Sequence, residues 1–245
     1  MSALGHYLEE AGIATVAIAL IRPQAENTRP PRALWVPFEL GRPIGPPSDP
    51  AFQTRVIRAA LRMLVASREA GPVMLADFPD DDPREAPDPN WRPPIVATPA
   101  PGLAGAALAD AMQSELWKLA PAYAASCTER GRSTVGLSTL APAACGDYVA
   151  AWLRGPPPPE SPVADFSPIL CLRFAVDDLK AYALEAALAG GGRPSATQLG
   201  DWLWNETATG AAIRQLRQGL LSSEDEREKL IAGMFLVPGL RVTAG

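Results

Sequence analysis

Histidine is almost missing from this 245-residue chain: His6 is its only one. A lone histidine near the start of a helix assembles no Ser-His-Asp set, and its ordinary role there is solvated or capping. Cysteine is scarce as well. Cys127, Cys145 and Cys171 stand far apart, so no CxxC pair exists for zinc or dithiol redox work. Three buried or half-buried thiols in a reducing, cytoplasmic setting are expected, with no cofactor. Long apolar runs are absent. The longest, Ile13 to Ile21, is about half of what a bilayer crossing needs, and no basic region precedes it as in a signal peptide. Excess positive charge is absent too: the net charge is −5, which gives no electrostatic reason to bind nucleic acid or anionic lipid. The densest basic group, Arg22, Arg29, Arg32 and Arg42, amounts to a local patch.

Proline, by contrast, is abundant. The 27 prolines crowd Pro23 to Pro50, Pro79 to Pro101 and Pro156 to Pro168, which read as loops and linkers. Between them the pattern is clear. Leu4, Tyr7, Leu8 and Ala11 form one face of an opening helix that Gly12 ends. Ile13 to Ile21 is continuous and β-branched, the signature of a parallel strand covered on both faces. A second strand is expected at Ala33 to Phe38, with Pro37 at its end. Asp49 then caps a helix from Pro50 to about Arg68, striped by Phe52, Val56, Ile57, Ala60, Leu61, Leu64 and Val65.

Helix, strand, strand, helix is an α/β fragment of a doubly wound sheet, expected over residues 1–76. Two strands do not make a stable sheet alone, so the fragment calls for further strands from upstream or from a partner. Residues 77–102 read as a Pro/Asp-rich linker, in which Asp80 to Asp82 form a solvated turn. Residues 103–245 read as a mainly α-helical region. Helices are expected at Leu103 to Cys127 (one helix or two, with Pro121 kinking it or beginning a new turn), Pro142 to Leu153, Pro168 to Leu188, from Ser195 or Thr197 to Gly219 with a break near Gly210, and after Ser222 or Ser223. A short strand is expected at Thr134 to Leu137.

Three stretches invite a chemical reading. Gly41-Arg42-Pro43-Ile44-Gly45 follows a strand, where open α/β sheets bind ligands. Gly41 and Gly45 permit close backbone approach, and Arg42 offers a fork for a carboxylate; a rigid connection with an outward Arg42 explains the same residues equally well. Gly131 to Gly136 imitates a phosphate loop but lacks both the GxGxxG spacing and a P-loop lysine, so a structural turn is expected. Trp202 and Trp204 cannot share a helix face; one is expected in the core and the other under a loop or against a partner.

Gly5-His6-Tyr7-Leu8-Glu9-Glu10-Ala11-Gly12-Ile13-Ala14-Thr15-Val16, Pro30 to Val36, Phe38-Glu39-Leu40-Gly41-Arg42-Pro43-Ile44-Gly45 and Asp49 to Gln53 together resemble the glycine/sarcosine/betaine/D-proline reductase selenoprotein B family. A softer likeness continues through Gly131 to Ser138, Asp178 to Tyr182 and Trp202 to Thr207. The resemblance implies an oxidoreductase acting on a small polar substrate. His6, Gly41, Arg42 and Gly45 would be the substrate-binding candidates. It also implies a selenocysteine or cysteine just before the opening helix, and Met1-Ser2-Ala3 offers neither. The family's nucleophile therefore maps onto no residue, and the catalytic residues stay unassigned. Two origins of this departure are open. A partner subunit could complete the sheet, or a UGA selenocysteine codon could have displaced the start. The alternative expectation is a non-catalytic helical interaction or accessory subunit, associating with itself or another chain through the α/β region.

Overall fold

The computed structural model describes residues 2–38, 40–65, 74–80, 86–97, 100 and 102–242. A small parallel sheet near the N-terminus is followed by a helical region, and 59% of the described residues are helical. The chain divides into two compact units, Met1–Glu85 and Ala86–Gly245.

The first unit runs α1 (Ser2–Glu10), β1 (Ala17–Ala19), α2 (Arg22–Thr28), β2 (Arg32–Trp35), α3 (Pro50–Val65) and β3 (Met74–Asp77). The strands are parallel in the order β1-β2-β3, with Ala17 opposite Ala33 and Arg32 opposite Met74. The sheet thus has one strand more than the sequence suggested. β3 is four residues long, too short to carry a period of its own. The α2 helix was not foreseen either. It buries only Ala25, so it has no apolar stripe to announce it.

Strand alternation builds the core. Ile18, Leu34, Val36, Ala76 and Phe78 fall on one face and meet Phe52, Val56, Ala60 and Met63 of α3. The long apolar run contributes only Ala17–Ala19 to the ladder, because Ile13 and Ile21 lie exposed at its ends. The expected stripe of α3 is split in the same way: Phe52, Val56 and Ala60 are buried, whereas Ile57, Leu61 and Val65 face solvent. Asp49 caps α3 as expected, accepting the Phe52 amide at 2.9 Å. The opening helix buries none of its residues, and Leu4 and Tyr7 are exposed. Polar links hold α1 instead: Ser2 to Thr28, His6 to the Arg29 carbonyl, and Glu9 to Thr15 and Arg32. Arg32 is buried in its ion pair with Glu9.

The second unit holds α4 (Gly105–Arg130), α5 (Pro142–Arg154), α6 (Pro168–Ala187), α7 (Ala196–Asp201), α8 (Ala208–Leu221) and α9 (Glu226–Ile231). Helices α4, α5, α6 and α8 enclose a single core around Met112, Leu119, Leu172, Leu179 and Ile213. Trp91 enters the same core and donates its indole N–H to the Ala187 carbonyl at 3.2 Å. The backbone of this segment lies so close to the chain after α6 that a Cβ on Gly190 would stand 2.1 Å from the Arg92 carbonyl oxygen.

α4 is one continuous helix with Pro121 inside it. Ser195 and Gln198 form a capping box that starts α7. The break expected near Gly210 comes at Thr207, after a single π-helical turn, Trp202–Glu206. Thr207 caps α8 by accepting the Gly210 amide at 2.9 Å. Wide π-helical geometry lets Trp202 and Trp204 both be buried, where an α-helix would have separated them. Asp225, rather than Ser222 or Ser223, caps α9. A second π turn, Ala232–Leu236, ends on Lys180, whose ammonium donates to the Phe235 carbonyl at 3.2 Å.

Candidate functional site

In a parallel sheet the side chains at the carboxyl ends of the strands converge on one edge. Here that edge carries Arg22 just after β1, Trp35 ending β2 and Asp77 ending β3. Arg22 Nη1 donates to both carboxylate oxygens of Asp77 at 2.7 Å, and its Nε donates to Glu26 at 2.9 Å. The guanidinium lies 5.1 Å from the Trp35 ring centroid. Hydrogen bonds to Asp77 and Glu26 raise the Arg22 pKa above its ordinary value. This constellation is an occupied cation: a carboxylate ligand would have to displace Asp77.

The Gly41–Gly45 loop leaves the same end of β2. Gly41 and Gly45 both have positive φ, 94° and 92°. The Gly45 amide donates to the Arg42 carbonyl at 3.0 Å, closing a tight turn. A Cβ on buried Gly45 would lie 2.4 Å from the Phe52 ring. Phe52, Phe38 and Phe78 form an edge-packed triad with centroids 5.5 to 5.9 Å apart. Packing on this triad accounts for Gly45, and Arg42 is half-buried in the turn. His6 is elsewhere. Its Nε2 donates to the Arg29 carbonyl at 2.8 Å, just before β2 begins. That is the amino edge of the sheet, so the structure does not bring His6 beside the Gly41–Gly45 loop. The basic patch is dispersed too, with Arg22 on Asp77 and Arg32 on Glu9.

In the helical unit, carboxylates occupy the backbone amides that could have bound anions. Asp178 accepts the amides of Gly136 and Leu137 at 2.8 and 2.9 Å through one oxygen. Its other oxygen accepts the Ser138 amide at 2.9 Å and the Ser138 hydroxyl at 2.5 Å. Two helical turns further along α6, Glu185 accepts the Thr134 amide and hydroxyl and the Ser133 hydroxyl, each at 2.7 Å. The phosphate-loop imitation at Gly131 to Gly136 is therefore a structural turn filled by the protein's own carboxylates. The same bonds replace the strand expected at Thr134 to Leu137, because those amides face α6 and not a ladder. Burial pushes the Glu185 carboxyl up, but the bonds from Thr134 and Ser133 outweigh it and hold it below its usual value.

Glu115 plays the same part on α4. Buried in the core, it accepts the amides of Ala208 and Thr209 at 2.8 and 3.0 Å and the Thr209 hydroxyl at 2.7 Å, capping α8 from a neighbouring helix. Burial raises its pKa; the bonds from Thr209 and Ala208 offset only part of that.

The thiols are poorly placed for nucleophilic work. Cys145 and Cys171 are buried, and Cys127 is half-buried. Burial pushes Cys145 up to about 11, against the partial relief of a contact with the Ser138 hydroxyl at 3.2 Å. Burial raises Cys171 as well. A catalytic thiolate needs the opposite shift. Among the described residues no group of three His, Cys, Asp or Glu could hold a metal ion, and no helix is long and apolar enough to cross a membrane.

Concavities mark the surface of the second unit among the described residues. One of about 170 Å³ lies between α4 and α5 beside the exposed Trp117. Another of about 440 Å³ lies between the Arg92–Ala97 segment and Asn205–Glu206. Neither draws in a titratable pair suited to acid–base exchange. Sequence reasoning missed Asp77, Glu26 and Trp35 at the sheet edge. The available signal was Arg22 at the end of the apolar run, which marks the carboxyl end of a strand. It also missed Glu115 and Asp178, which lie on the buried faces of α4 and α6. No protein family, curated protein or solved structure matches this chain.

Proposed function

We propose that this chain is a non-catalytic interaction subunit that docks on protein through its α/β unit and works in the cytoplasm, where its three free cysteines stay reduced. One observation carries the reading. Helix α3 turns Ile57, Leu61 and Val65 to solvent as a continuous row, although its opposite face is fully used in the core. A row of that kind on a folded unit marks an interaction site. The groups that could have performed chemistry support it from the other side. Arg22 is engaged by two carboxylates, the amides of residues 134 and 136–138 by Glu185 and Asp178, and His6 by a backbone carbonyl.

The reductase reading is the second proposal. It draws on the Gly41–Gly45 loop at the carboxyl edge, where a small polar substrate would approach Arg42, and it needs a thiolate or selenolate from another chain or segment. A thiol-reactivity and turnover assay tests whether this chain carries a complete reductase site of its own. The folded protein is labelled with a thiol reagent, and reduction of glycine, its N-methyl derivatives and D-proline is followed with a dithiol donor. No turnover is expected. A fast-reacting cysteine whose change to serine abolishes a measurable reduction would overturn the interaction reading.

A further inference from the structure

We infer that the cavity between α4 and α5 binds a small organic cation, an ammonium group carried on a compact apolar body. The site lies wholly within the helical unit. It goes beyond the interaction reading and does not depend on the α3 row.

Small side chains open the cavity. Where the two helices meet, Gly146 of α5 lies so close to α4 that a Cβ would stand 2.8 Å from Leu116 Cδ1. Beyond that contact, Ala120 on α4 and Pro142 and Ala143 on α5 are too short to fill the space between the helices. The notch that remains measures about 170 Å³. An apolar cavity of roughly 150 Å³ holds benzene, so the body is limited to about six or seven carbons. Tyr182 also lines the notch. Its hydroxyl donates to the Leu116 carbonyl at 2.9 Å, so only its ring is available to a ligand. That ring is backed by Tyr123, with centroids 4.5 Å apart. Trp117 stands at the rim and is 80% exposed, whereas the five other tryptophans are buried or half-buried. Its indole face is therefore free to cover a ligand.

The charge on the rim selects a cation. Gln113 and Asp147 are the polar side chains that line the notch, and among the described lining residues none is basic. Arg154 donates to Gln113 Oε1, which turns the Gln113 NH₂ group toward Asp147. Gln113 Nε2 then donates to Asp147 Oδ1 at 2.6 Å. Among the described residues nothing bonds to Asp147 Oδ2. Arg154 is itself paired with Asp110 at 2.6 Å, so Asp110, Arg154 and Asp147 together keep one negative charge. Lys118 follows Trp117 in the chain but falls outside the lining. The α5 dipole disfavours a cation at Pro142, but it fades within the first turn, and Asp147 lies in the second. An ammonium would donate to Oδ2 and lie against the Trp117 ring, and these are the two attractions a cation gains over a neutral molecule of the same shape. A carboxylate ligand meets Asp147 as a like charge.

The test is titration calorimetry, supported by saturation-transfer NMR, on the full chain at neutral pH. Three probes of one shape are compared: benzylamine, benzyl alcohol and benzoate. Benzylamine should bind saturably at one site, benzyl alcohol about fivefold or more weakly, and benzoate not at all. Asp147→Asn should reduce benzylamine to the level of the alcohol and leave the alcohol unchanged. Trp117→Ala should weaken both. Ala143→Leu should fill the notch and abolish both. These three positions are exposed, and thermal melting checks that each variant folds. If Ala143→Leu is destabilised, Ala120→Leu fills the notch from the opposite wall. Absence of saturable benzylamine binding up to about 10 mM, the weak limit for a ligand of this size, overturns the site. Alcohol or benzoate binding as tightly as the amine overturns the cation assignment, as does an amine affinity indifferent to Asp147→Asn. Binding that survives both notch-filling changes places the ligand elsewhere and overturns the proposal too.

Discussion

Replacing Glu115 should damage the helical unit more than any surface change. Its carboxylate accepts two α8 amides and one hydroxyl inside the core. In Glu115→Ala the amides of Ala208 and Thr209 lose their acceptor where water does not reach. Each stranded donor costs about 1–3 kcal/mol, and loss of the anion at the helix N-terminus adds roughly 0.3–1 kcal/mol. The sum is roughly 2–7 kcal/mol, and the cost of breaking other buried charged networks, about 3–5 kcal/mol, sets the expected value within it. Glu115→Gln keeps one acceptor oxygen but turns an NH₂ group toward an amide donor, so about 1–2 kcal/mol is expected. For a unit of this size 1 kcal/mol moves the midpoint by about 2–4 °C, so the alanine variant should melt roughly 6–20 °C lower. Tryptophan fluorescence reads this unit, since five of the six tryptophans lie at residue 91 or beyond. The pH dependence has a definite sign. The folded carboxyl has a raised pKa, so the proton binds the native state more tightly. This group's contribution is largest below the unfolded carboxyl pKa and is lost as pH rises through the folded value. Relative to Glu115→Gln, wild-type stability should therefore fall over that window. An alanine variant within about 0.5 kcal/mol of wild type would refute the capping argument, since surface changes stay within that range.

Glu185 should show the opposite slope. Its pKa is lowered, so its contribution is present above the unfolded carboxyl pKa and fades as pH falls through the folded value; comparing acid titrations of wild type and Glu185→Gln checks this. Asp178→Ala should strip the acceptor from the amides of residues 136–138, and hydrogen exchange should speed up there before it does in α5. Gly190→Ala should push the Arg92 backbone away from α6, with a loss of Trp91 near-ultraviolet dichroism and a cost of about 1–3 kcal/mol. In the folded protein at mildly alkaline pH, a disulfide reagent should modify Cys127 alone, and Cys145 and Cys171 should respond only on unfolding.

Local patterning by itself determined the order and type of the long elements. The β-branched run before Arg22, the Asp49-Pro50 start of α3, the Pro142 and Pro168 starts of α5 and α6, and the Ser195 cap are all set by interactions within a few residues. Such interactions leave a mark in the sequence, because the residue types that make them sit next to each other. What tertiary structure alone decided are the pairings across long separations. β3 and α2 exist because neighbours hold them; neither has enough buried side chains to declare itself. The Arg22–Asp77 contact spans 55 positions, and Glu115 reaches Thr209 across 94. A carboxylate in a helix reads as a solvated charge until the fold sets unpaired amides against it. The desolvation that makes Glu115 and Asp178 consequential is a property of that enclosure. The row on α3 shows the same division: sequence periodicity marked Ile57, Leu61 and Val65 as apolar, and only the position of the sheet decided that they face outward.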